Sequence, residues 1–340
     1  MLLALISVLV LAATSCNSVD VTTVPVSTTA VFIPIASPTV ITTVSPPSAP
    51  PPVSAANTAF GLWTPTPLPA TPTPPPVIPT VQVDPPKAGQ GGILVIKVIT
   101  PDSLKVEGTL DTGSRLYFAR GDSYYYAIVG LAAWTPTGAH KAILNLRYDK
   151  GRETSLTASF EVTPTSFPVE RIDLEPETSQ LLAPQVVAKE KDVLDAVVEP
   201  ATPERLWKGA FVMPAQGEIS SPFGERRSYN GGPVIGYHEG TDIAASLDSP
   251  AVAANSGLVI WAGPMDVRGN AIIINHGLGV YSGYYHLNQI LVQGGQKVER
   301  GQLIGRIGTT GLSTGPHLHW DMKVGGVNVD GLAWTQKEIP

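Results

Sequence analysis

The sequence predicts a mainly β protein with two β-rich units behind a long extended segment. Three observations lead to this prediction. Apolar and β-branched residues alternate in short segments from residue 91 onward, and glycines punctuate this alternation toward the C-terminus. Before that point, residues 17–86 contain 18 of the 33 prolines together with 19 Ser or Thr residues. A segment of this composition cannot bury enough apolar surface to offset the entropy that is lost on folding.

Charge and cysteine content exclude several classes of protein. The 22 Lys and Arg residues are outnumbered by 28 Asp and Glu residues, which gives a net charge of −6. Nucleic acid is therefore not an expected partner, because no basic surface would hold its phosphates. The single cysteine, Cys16, excludes intramolecular disulfides and thiolate zinc fingers.

Residues 1–16 have the features of an export signal. The apolar run at residues 2–13 is shorter than the roughly 20 residues of a membrane-spanning helix, and its length suits a secretory signal. Because Cys16 directly follows small residues, the segment resembles a bacterial lipoprotein signal. This resemblance implies a lipid anchor at Cys16 and export to the outer face of the cell membrane or the cell wall. The alternative is a plain secretory signal in which the cysteine is incidental.

Residues 17–90 are expected to form a disordered linker rich in Pro, Ser and Thr. Chain in the polyproline conformation advances about 3.1 Å per residue, so a segment of this length reaches up to roughly 200 Å. We interpret the segment as a tether that holds the folded units away from a membrane. A glycosylated stalk is compatible with the same composition.

Residues 91–163 are predicted to form a small immunoglobulin-like β-sandwich. Pro, Gly, Asp and Thr turns separate six strand-like segments that recur about every ten residues. These segments are residues 93–99, 104–107, 116–118, 124–129, 142–148 and 155–162. His140 lies in a predicted turn and is expected to be solvated. Residues 164–204 are expected to be a connector with one short helix near residues 185–198, where apolar residues recur at helical spacing.

Residues 205–340 are expected to carry the chemistry, because five of the six histidines lie there. His238 and Asp242 lie in a segment that is predicted to be a loop entering a strand. An imidazole and a carboxylate are common zinc ligands, but this pair alone is a weak signal. His317 and His319 are separated by one residue, so on a strand both side chains project from the same face.

The two remaining histidines of this unit are weaker signals. His286 ends a predicted strand rich in aromatic residues and, considered alone, would be a packed core histidine. His276 lies in a predicted turn and is expected to be structural. The aromatic residues Tyr284, Tyr285 and Trp320 are expected mainly to pack in the core.

Taken together and in order, these motifs resemble those of the lysostaphin-like (LytM-type) zinc metallopeptidases, which cleave peptidoglycan cross-bridges. The motifs occupy residues 221–226, 237–243, 269–277, 284–288, 301–308 and 314–322. The resemblance covers about residues 205 to 337. It implies that residues 205–340 form an antiparallel β metallopeptidase domain with a long groove.

The resemblance also implies one zinc ion, with His238, Asp242 and His319 as its ligands and His286 and His317 as the catalytic pair. Three protein ligands leave one tetrahedral position open, as in catalytic zinc sites. The implied reaction is zinc-dependent hydrolysis of peptide bonds in bacterial peptidoglycan cross-links. The two histidines would act as acid/base and as oxyanion stabiliser, in an order that the sequence does not assign.

The implied partners are peptidoglycan stem peptides or cross-bridges, and Arg226 and Arg227 are expected to meet an anionic stem peptide. Two other functions fit the same residues. One is a non-catalytic cell-wall-binding or amidase-activating module; degenerate members of the family lack part of the zinc set, whereas this chain lacks none of it. The other is a zinc carboxypeptidase that acts on the same polymer.

Overall fold

The computed structural model describes residues 78–100, 103–198 and 202–340 of the chain. The predicted export signal at residues 1–16, with Cys16, lies outside the described residues, as does most of the predicted linker. The described residues all belong to one compact region of the chain, Pro72–Pro340. None of the helices in these ranges is long and apolar enough to cross a membrane.

The first part of the described chain is a sandwich of two β-sheets, in agreement with the predicted mainly β fold class. Its strands are β1 (Thr80–Asp84), β2 (Lys87–Gly89), β3 (Ile93–Ile99), β4 (Ser103–Leu110), β5 (Arg115–Leu116), β6 (Ala119–Arg120), β7 (Tyr124–Gly130), β8 (Gly138–Tyr148) and β9 (Glu153–Thr163). One sheet has the order β1-β3-β7-β6, and the other has the order β2-β9-β8-β4-β5. The assignment to the immunoglobulin-like class stays a prediction.

The sandwich begins earlier than the sequence predicts. Strands β1 and β2 lie within residues 17–90, so the predicted end of the disordered linker was wrong. Strand β1 pairs antiparallel with β3, and its Val81 and Val83 pack against the sandwich core. The prolines Pro85 and Pro86 sit between the two strands, where proline is tolerated because it ends a strand rather than interrupts one. The proline-rich composition therefore continues into the folded part of the chain.

The central strands β3 and β7 of the four-stranded sheet are buried on both faces. Leu94, Ile96 and Val98 of β3 pack in the core of the sandwich, whereas Val95 and, on β7, Ile128 pack in the core of the C-terminal unit. Successive residues of a strand point to opposite faces, so the continuous apolar run of β3 serves two cores. The sandwich is therefore packed directly against the C-terminal unit.

The predicted connector at residues 164–204 contains the predicted helix and also a strand that was not predicted. The helix is α2 (Pro184–Val197), and it follows the short helix α1 (Pro176–Ser179). The additional strand is β10 (Val169–Ile172). The connector thus contains regular structure, and its strand β10 becomes part of a sheet of the C-terminal unit.

The C-terminal unit is built on a ten-stranded antiparallel sheet and a small three-stranded sheet. Its strands are β11 (Glu218–Ser221), β12 (Arg226–Tyr229), β13 (Val234–Tyr237), β14 (Thr241–Ala244), β15 (Pro250–Val252), β16 (Gly257–Met265), β17 (Gly269–Gly277), β18 (Val280–Ile290), β19 (Lys297–Val298), β20 (Leu303–Ile307), β21 (His317–Val324) and β22 (Val327–Val329), followed by helix α3 (Leu332–Gln336). The large sheet follows β11-β14-β21-β18-β17-β16-β19, with β15, β20 and β22 beside this path. In the small sheet, β10 of the connector pairs in parallel with β12, which pairs with β13.

The centre of the large sheet is packed with aromatic side chains. Trp320 of β21 and Tyr284 and Tyr285 of β18 are buried, as predicted for core residues. Strands β14, β21 and β18 are neighbours in this sheet. They provide a rigid base from which polar side chains project.

Candidate metal centre and active site

Neighbouring strands bring the predicted metal ligands together. Asp242 of β14 lies directly opposite His319 of β21 in the antiparallel ladder. His238 follows the end of β13 and precedes β14, which confirms the predicted loop that enters a strand. On β21, His317 and His319 flank Leu318, which is fully buried. Both rings therefore project from the opposite face, as the spacing predicts.

The ligand atoms of His238, Asp242 and His319 converge on one point. Asp242 Oδ1 lies 3.0 Å from His238 Nε2 and 2.8 Å from His319 Nδ1, and the two ring nitrogens are 3.0 Å apart. Within the described ranges, this is the one group of three such side chains that could hold a metal ion. Two imidazole nitrogens and a carboxylate oxygen are a donor set that fits zinc.

The protonation of this group suits metal binding. His238 Nδ1 lies 3.0 Å from the carbonyl oxygen of Pro222, which can only accept a hydrogen bond. Nδ1 therefore carries the proton, and Nε2 keeps a free lone pair for a metal. Burial alone would raise the pKa of Asp242, but hydrogen bonds with His238 and His319 outweigh it and hold that pKa well below its usual range. Asp242 is therefore a carboxylate.

Arg227 belongs to the surroundings of Asp242 and is not free in the groove. Its Nη1 lies 2.7 Å from Glu170 Oε2, and its Nη2 donates to Ser221 Oγ at 2.8 Å and lies 3.5 Å from Asp242 Oδ2. The guanidinium thus neutralises two acidic side chains of the protein itself. The parallel pairing of β10 with β12 brings Glu170 beside Arg227, and the expected contact of Arg227 with a stem peptide stays a prediction. For Arg226, that contact also stays a prediction.

The two predicted catalytic histidines face each other, with 4.8 Å between the ring centroids of His286 and His317. His286 Nδ1 lies 2.7 Å from the carbonyl oxygen of Thr310, and His317 Nδ1 lies 2.8 Å from that of Gly315. Each ring therefore carries its proton on Nδ1 and has a free lone pair on Nε2. His317 Nε2 lies 3.8 Å from Asp242 Oδ1, beside the ligand group. Burial, followed by the neighbouring His317, lowers the pKa of His286 to about 3.

A β-bulge aims His286 at this group. Tyr284 lies opposite Ile272 and Leu287 lies opposite Asn270, so two residues of β18 oppose one residue of β17. At the bulge His286 has a φ of 59°, a left-handed conformation that costs energy for any residue other than glycine. Bulges of this kind re-aim a side chain. Strand β18 continues beyond the bulge to Ile290, so the predicted strand end at His286 was wrong.

The site lies in a groove with a volume of about 640 Å³. One wall consists of residues 170–174 of the connector together with Leu182 and Val187, and residues 312–317 contribute another part of the lining. The pattern of the motifs gave no indication of the connector wall, because its residues lie more than 50 positions before the first histidine of the site.

The other two histidines lie outside the site. His276 is buried within β17, with its Nδ1 2.8 Å from Ser256 O and its Nε2 2.7 Å from Ser282 Oγ, so its role is structural although it is in a strand and not in a turn. His140 lies on β8, and its Nδ1 is 3.0 Å from Asp111 Oδ1. It is a hydrogen-bonded strand residue and not a solvated turn residue.

Residues 236–331 match the model of peptidase family M23. The chain therefore contains an M23 peptidase domain. All five of the predicted metal-ligating and catalytic histidine and aspartate residues lie within this match.

Similar proteins include two that are named peptidoglycan DD-endopeptidases and one that is named a DD-carboxypeptidase/endopeptidase. The peptidoglycan DD-endopeptidases ShyA and ShyB of Vibrio cholerae are 40% identical over 114 residues and 37% identical over 132 residues. These alignments cover 34% and 38% of this chain and 26% and 30% of the relatives. The DD-carboxypeptidase/endopeptidase Mpg of Neisseria meningitidis is 38% identical over 115 residues, which is 33% of this chain and 26% of Mpg. The chain thus spans about 30% or less of the length of these relatives.

A solved structure resembles more of the chain than the M23 match does. An M23 protein of Pseudomonas aeruginosa superimposes with a TM-score of 0.55 at 26% sequence identity. The superposition covers 72% of this chain and 93% of that protein. The shared fold therefore includes residues that precede the M23 domain.

Proposed function

We propose that this chain is a zinc-dependent endopeptidase that hydrolyses peptide bonds in bacterial peptidoglycan cross-links. The observation that carries the proposal is the convergence of His238, Asp242 and His319 beside the facing pair His286 and His317. Two relatives that are named peptidoglycan DD-endopeptidases, and a third that is named a DD-carboxypeptidase/endopeptidase, support a bond between two D-amino acids as the target.

The proposed metal site uses the two histidines and the aspartate as its three ligands. When bound there, a zinc ion supplies Lewis-acid activation of water and of the scissile carbonyl group. Arg227 stands 3.5 Å from the second carboxylate oxygen of Asp242, so Oδ1 is the oxygen that is left to face the metal. The buried position of His238 and its bond to Pro222 keep its ring in one orientation.

His286 and His317 have the proposed task of moving the proton. The free lone pair on each Nε2 can accept a proton from the attacking water. A ring that has been protonated can then donate a hydrogen bond to the oxyanion on the substrate or deliver the proton to the leaving amine. The carbonyl oxygens of Thr310 and Gly315 accept from Nδ1 throughout and stabilise the charged rings. Because the two rings make the same kind of hydrogen bond, this arrangement does not assign one task to one ring.

The proposed place of action is outside the cytoplasmic membrane, where peptidoglycan is found. The apolar segment at residues 2–13 supports export, and Cys16 supports a lipid anchor. Cys16→Ser should move the exported protein from the membrane fraction to the soluble fraction. Equal membrane association of both forms would contradict the anchor.

The function is tested by incubating the purified, zinc-loaded chain with peptidoglycan and identifying the soluble products by mass spectrometry. Conversion of cross-linked dimers to monomers is the expected result for an endopeptidase. Release of a terminal amino acid alone would favour the carboxypeptidase alternative. An absence of products with one zinc bound per chain would favour the non-catalytic module.

Three histidine variants test the assignment of roles. His317→Ala should keep its zinc and lose hydrolysis, whereas His238→Ala should lose the metal as well. His140→Ala is the matched control, because this histidine lies in the sandwich and contacts neither group. Full activity of His317→Ala would contradict the proposed acid–base pair.

A further inference from the structure

On the basis of the proposed function, we infer that Glu190 of helix α2 is a positioning residue for His286. Glu190 lies in the connector, before the M23 match at residues 236–331. The connector helix therefore contributes one side chain, Glu190, that acts on the site from outside the M23 match.

Glu190 is buried and makes all its contacts with one turn of the C-terminal unit. Its side chain is only 3% exposed. Its carboxylate accepts hydrogen bonds from the backbone N–H of Val267 at 2.5 Å and of Arg268 at 3.2 Å, and from Arg268 Nη1 at 3.0 Å. Burial of a carboxylate is costly unless it is fully paired, and here two amides and a guanidinium pair with it. The carboxylate of Glu190 thus pairs with both backbone amides at the centre of the turn between β16 and β17.

Arg268 connects this turn to the site. Its carbonyl oxygen accepts the backbone N–H of His286 at 2.9 Å. Its Nη2 donates to Glu239 Oε2 at 2.6 Å, and Glu239 directly follows His238. Its guanidinium also lies 5.1 Å from the ring centroid of Tyr285. A displacement of Arg268 would therefore act on His286 through the backbone.

His286 depends on such support more than an ordinary strand residue does. Its left-handed φ of 59° persists only while the surroundings hold it. The backbone is held by Arg268 O, and the ring is held by the carbonyl oxygen of Thr310. If Glu190 is lost, the amides of Val267 and Arg268 are left unpaired, and the turn can relax. The Nε2 of His286 would then leave its position beside His317.

The test uses the full chain and compares Glu190→Ala and Glu190→Gln with wild type. We expect Glu190→Ala to lower kcat about 10- to 100-fold, because a shift of about 1 Å in a reacting group can cost that much. KM should change less than about twofold, and one zinc should stay bound per chain. Glu190→Gln should be intermediate, because its amide oxygen can still accept one of the N–H groups.

Lys189→Ala is the matched control. Lys189 lies on the same helix, and its Nζ pairs at 2.9 Å with Asp266 Oδ2 in the same turn, but both side chains are exposed. An exposed ion pair contributes little, so the kcat of this variant should equal that of wild type. If helix α2 served only to stabilise the fold, Glu190→Ala would have a lower melting temperature than wild type but the same kcat in its folded form.

Amide hydrogen exchange of the turn gives a readout that does not depend on activity. The amides of Val267, Arg268 and His286 should exchange faster in Glu190→Ala than in wild type and Lys189→Ala. Wild-type kcat in folded Glu190→Ala would overturn the inference and leave the proposed function intact. If Glu190→Ala does not fold, wild-type kcat in Glu190→Gln together with fast exchange at these amides overturns it. An inactive wild type with slow exchange that quickens in Glu190→Ala would instead overturn the proposed function, and with it the role in hydrolysis.

Discussion

Acidification should destabilise the folded chain through His276, a histidine that lies outside the site. Its ring is fully buried and is hydrogen-bonded to Ser256 O and Ser282 Oγ. Burial lowers the pKa of His276 from 6.5 to about 4. Because the folded-state pKa lies below the unfolded value, the unfolded chain takes up the proton first as the pH falls. The stability is therefore complete above pH 6.5 and is lost between about pH 6.5 and pH 4.

The size of this effect follows from the change in the pKa of His276. One pKa unit corresponds to about 1.4 kcal/mol, so the full shift would remove about 3 kcal/mol from the free energy of unfolding. At about pH 5 the unfolded histidine is almost fully protonated, whereas the folded one is still mostly neutral. The expected loss between about pH 7.5 and pH 5 is about 2 kcal/mol.

The assay is urea unfolding of wild type and His276→Asn at these two pH values. Asparagine can still donate to Ser256 O, but it does not titrate. The wild type should lose about 2 kcal/mol more than the variant on acidification. The comparison of the two proteins removes the contribution of other titrating groups, such as His286. Equal losses in both proteins would refute the argument from burial.

Three further predictions concern the metal, the backbone and the packing between the units. A chelator should lower the melting temperature and abolish hydrolysis, and one equivalent of zinc should restore both. A melting temperature that calorimetry finds unchanged by the chelator would contradict metal binding. Gly277→Ala should cost about 3 kcal/mol or more, since φ is 89° and the new Cβ would lie 1.8 Å from Glu204 O, whereas Gly295→Ala, at φ 83° in open space, should cost about 1 kcal/mol in the same urea titration. Ile128→Ala should cost about 2–4 kcal/mol and still leave a single calorimetric transition, because this side chain belongs to the core of the C-terminal unit; separate transitions would show that the sandwich unfolds alone.

The parts of the site that were predicted depend on short spacings. His317 and His319 alternate with Leu318 on β21, and strand geometry alone places their rings on one face. The loop with His238 and Asp242 was predictable in the same way, since four residues with a glycine among them bring two side chains to the start of a strand. A resemblance of ordered motifs was needed to connect these pairs with His286, which by itself has the pattern of a core residue.

The parts that were missed depend on contacts between distant residues. Glu190 and Arg268 are 78 positions apart, so their pairing was not predictable, although Glu190 lies four positions before Leu194 on the buried face of its helix. Strand β10 has only four residues and pairs in parallel with β12, more than 50 positions later. The conformation of His286 was also not predictable, because a positive φ at a histidine is imposed by its surroundings and not by its own preference.

Two acid–arginine pairs join the connector to the part of the chain that carries the candidate site. Glu170 of β10 pairs with Arg227, which lies beside the predicted ligand Asp242. Glu190 of α2 pairs with Arg268, whose carbonyl oxygen holds the backbone of His286. In both cases the acid lies in the connector, and the arginine belongs to the unit that carries the site. A boundary at residue 205 would remove both acids and leave the two guanidinium groups without part of their pairing, and a boundary at the start of the M23 match, residue 236, would remove Arg227 as well. We therefore propose that the functional unit begins at β10, because the side chains that support the predicted ligand Asp242 and the proposed catalytic residue His286 begin there.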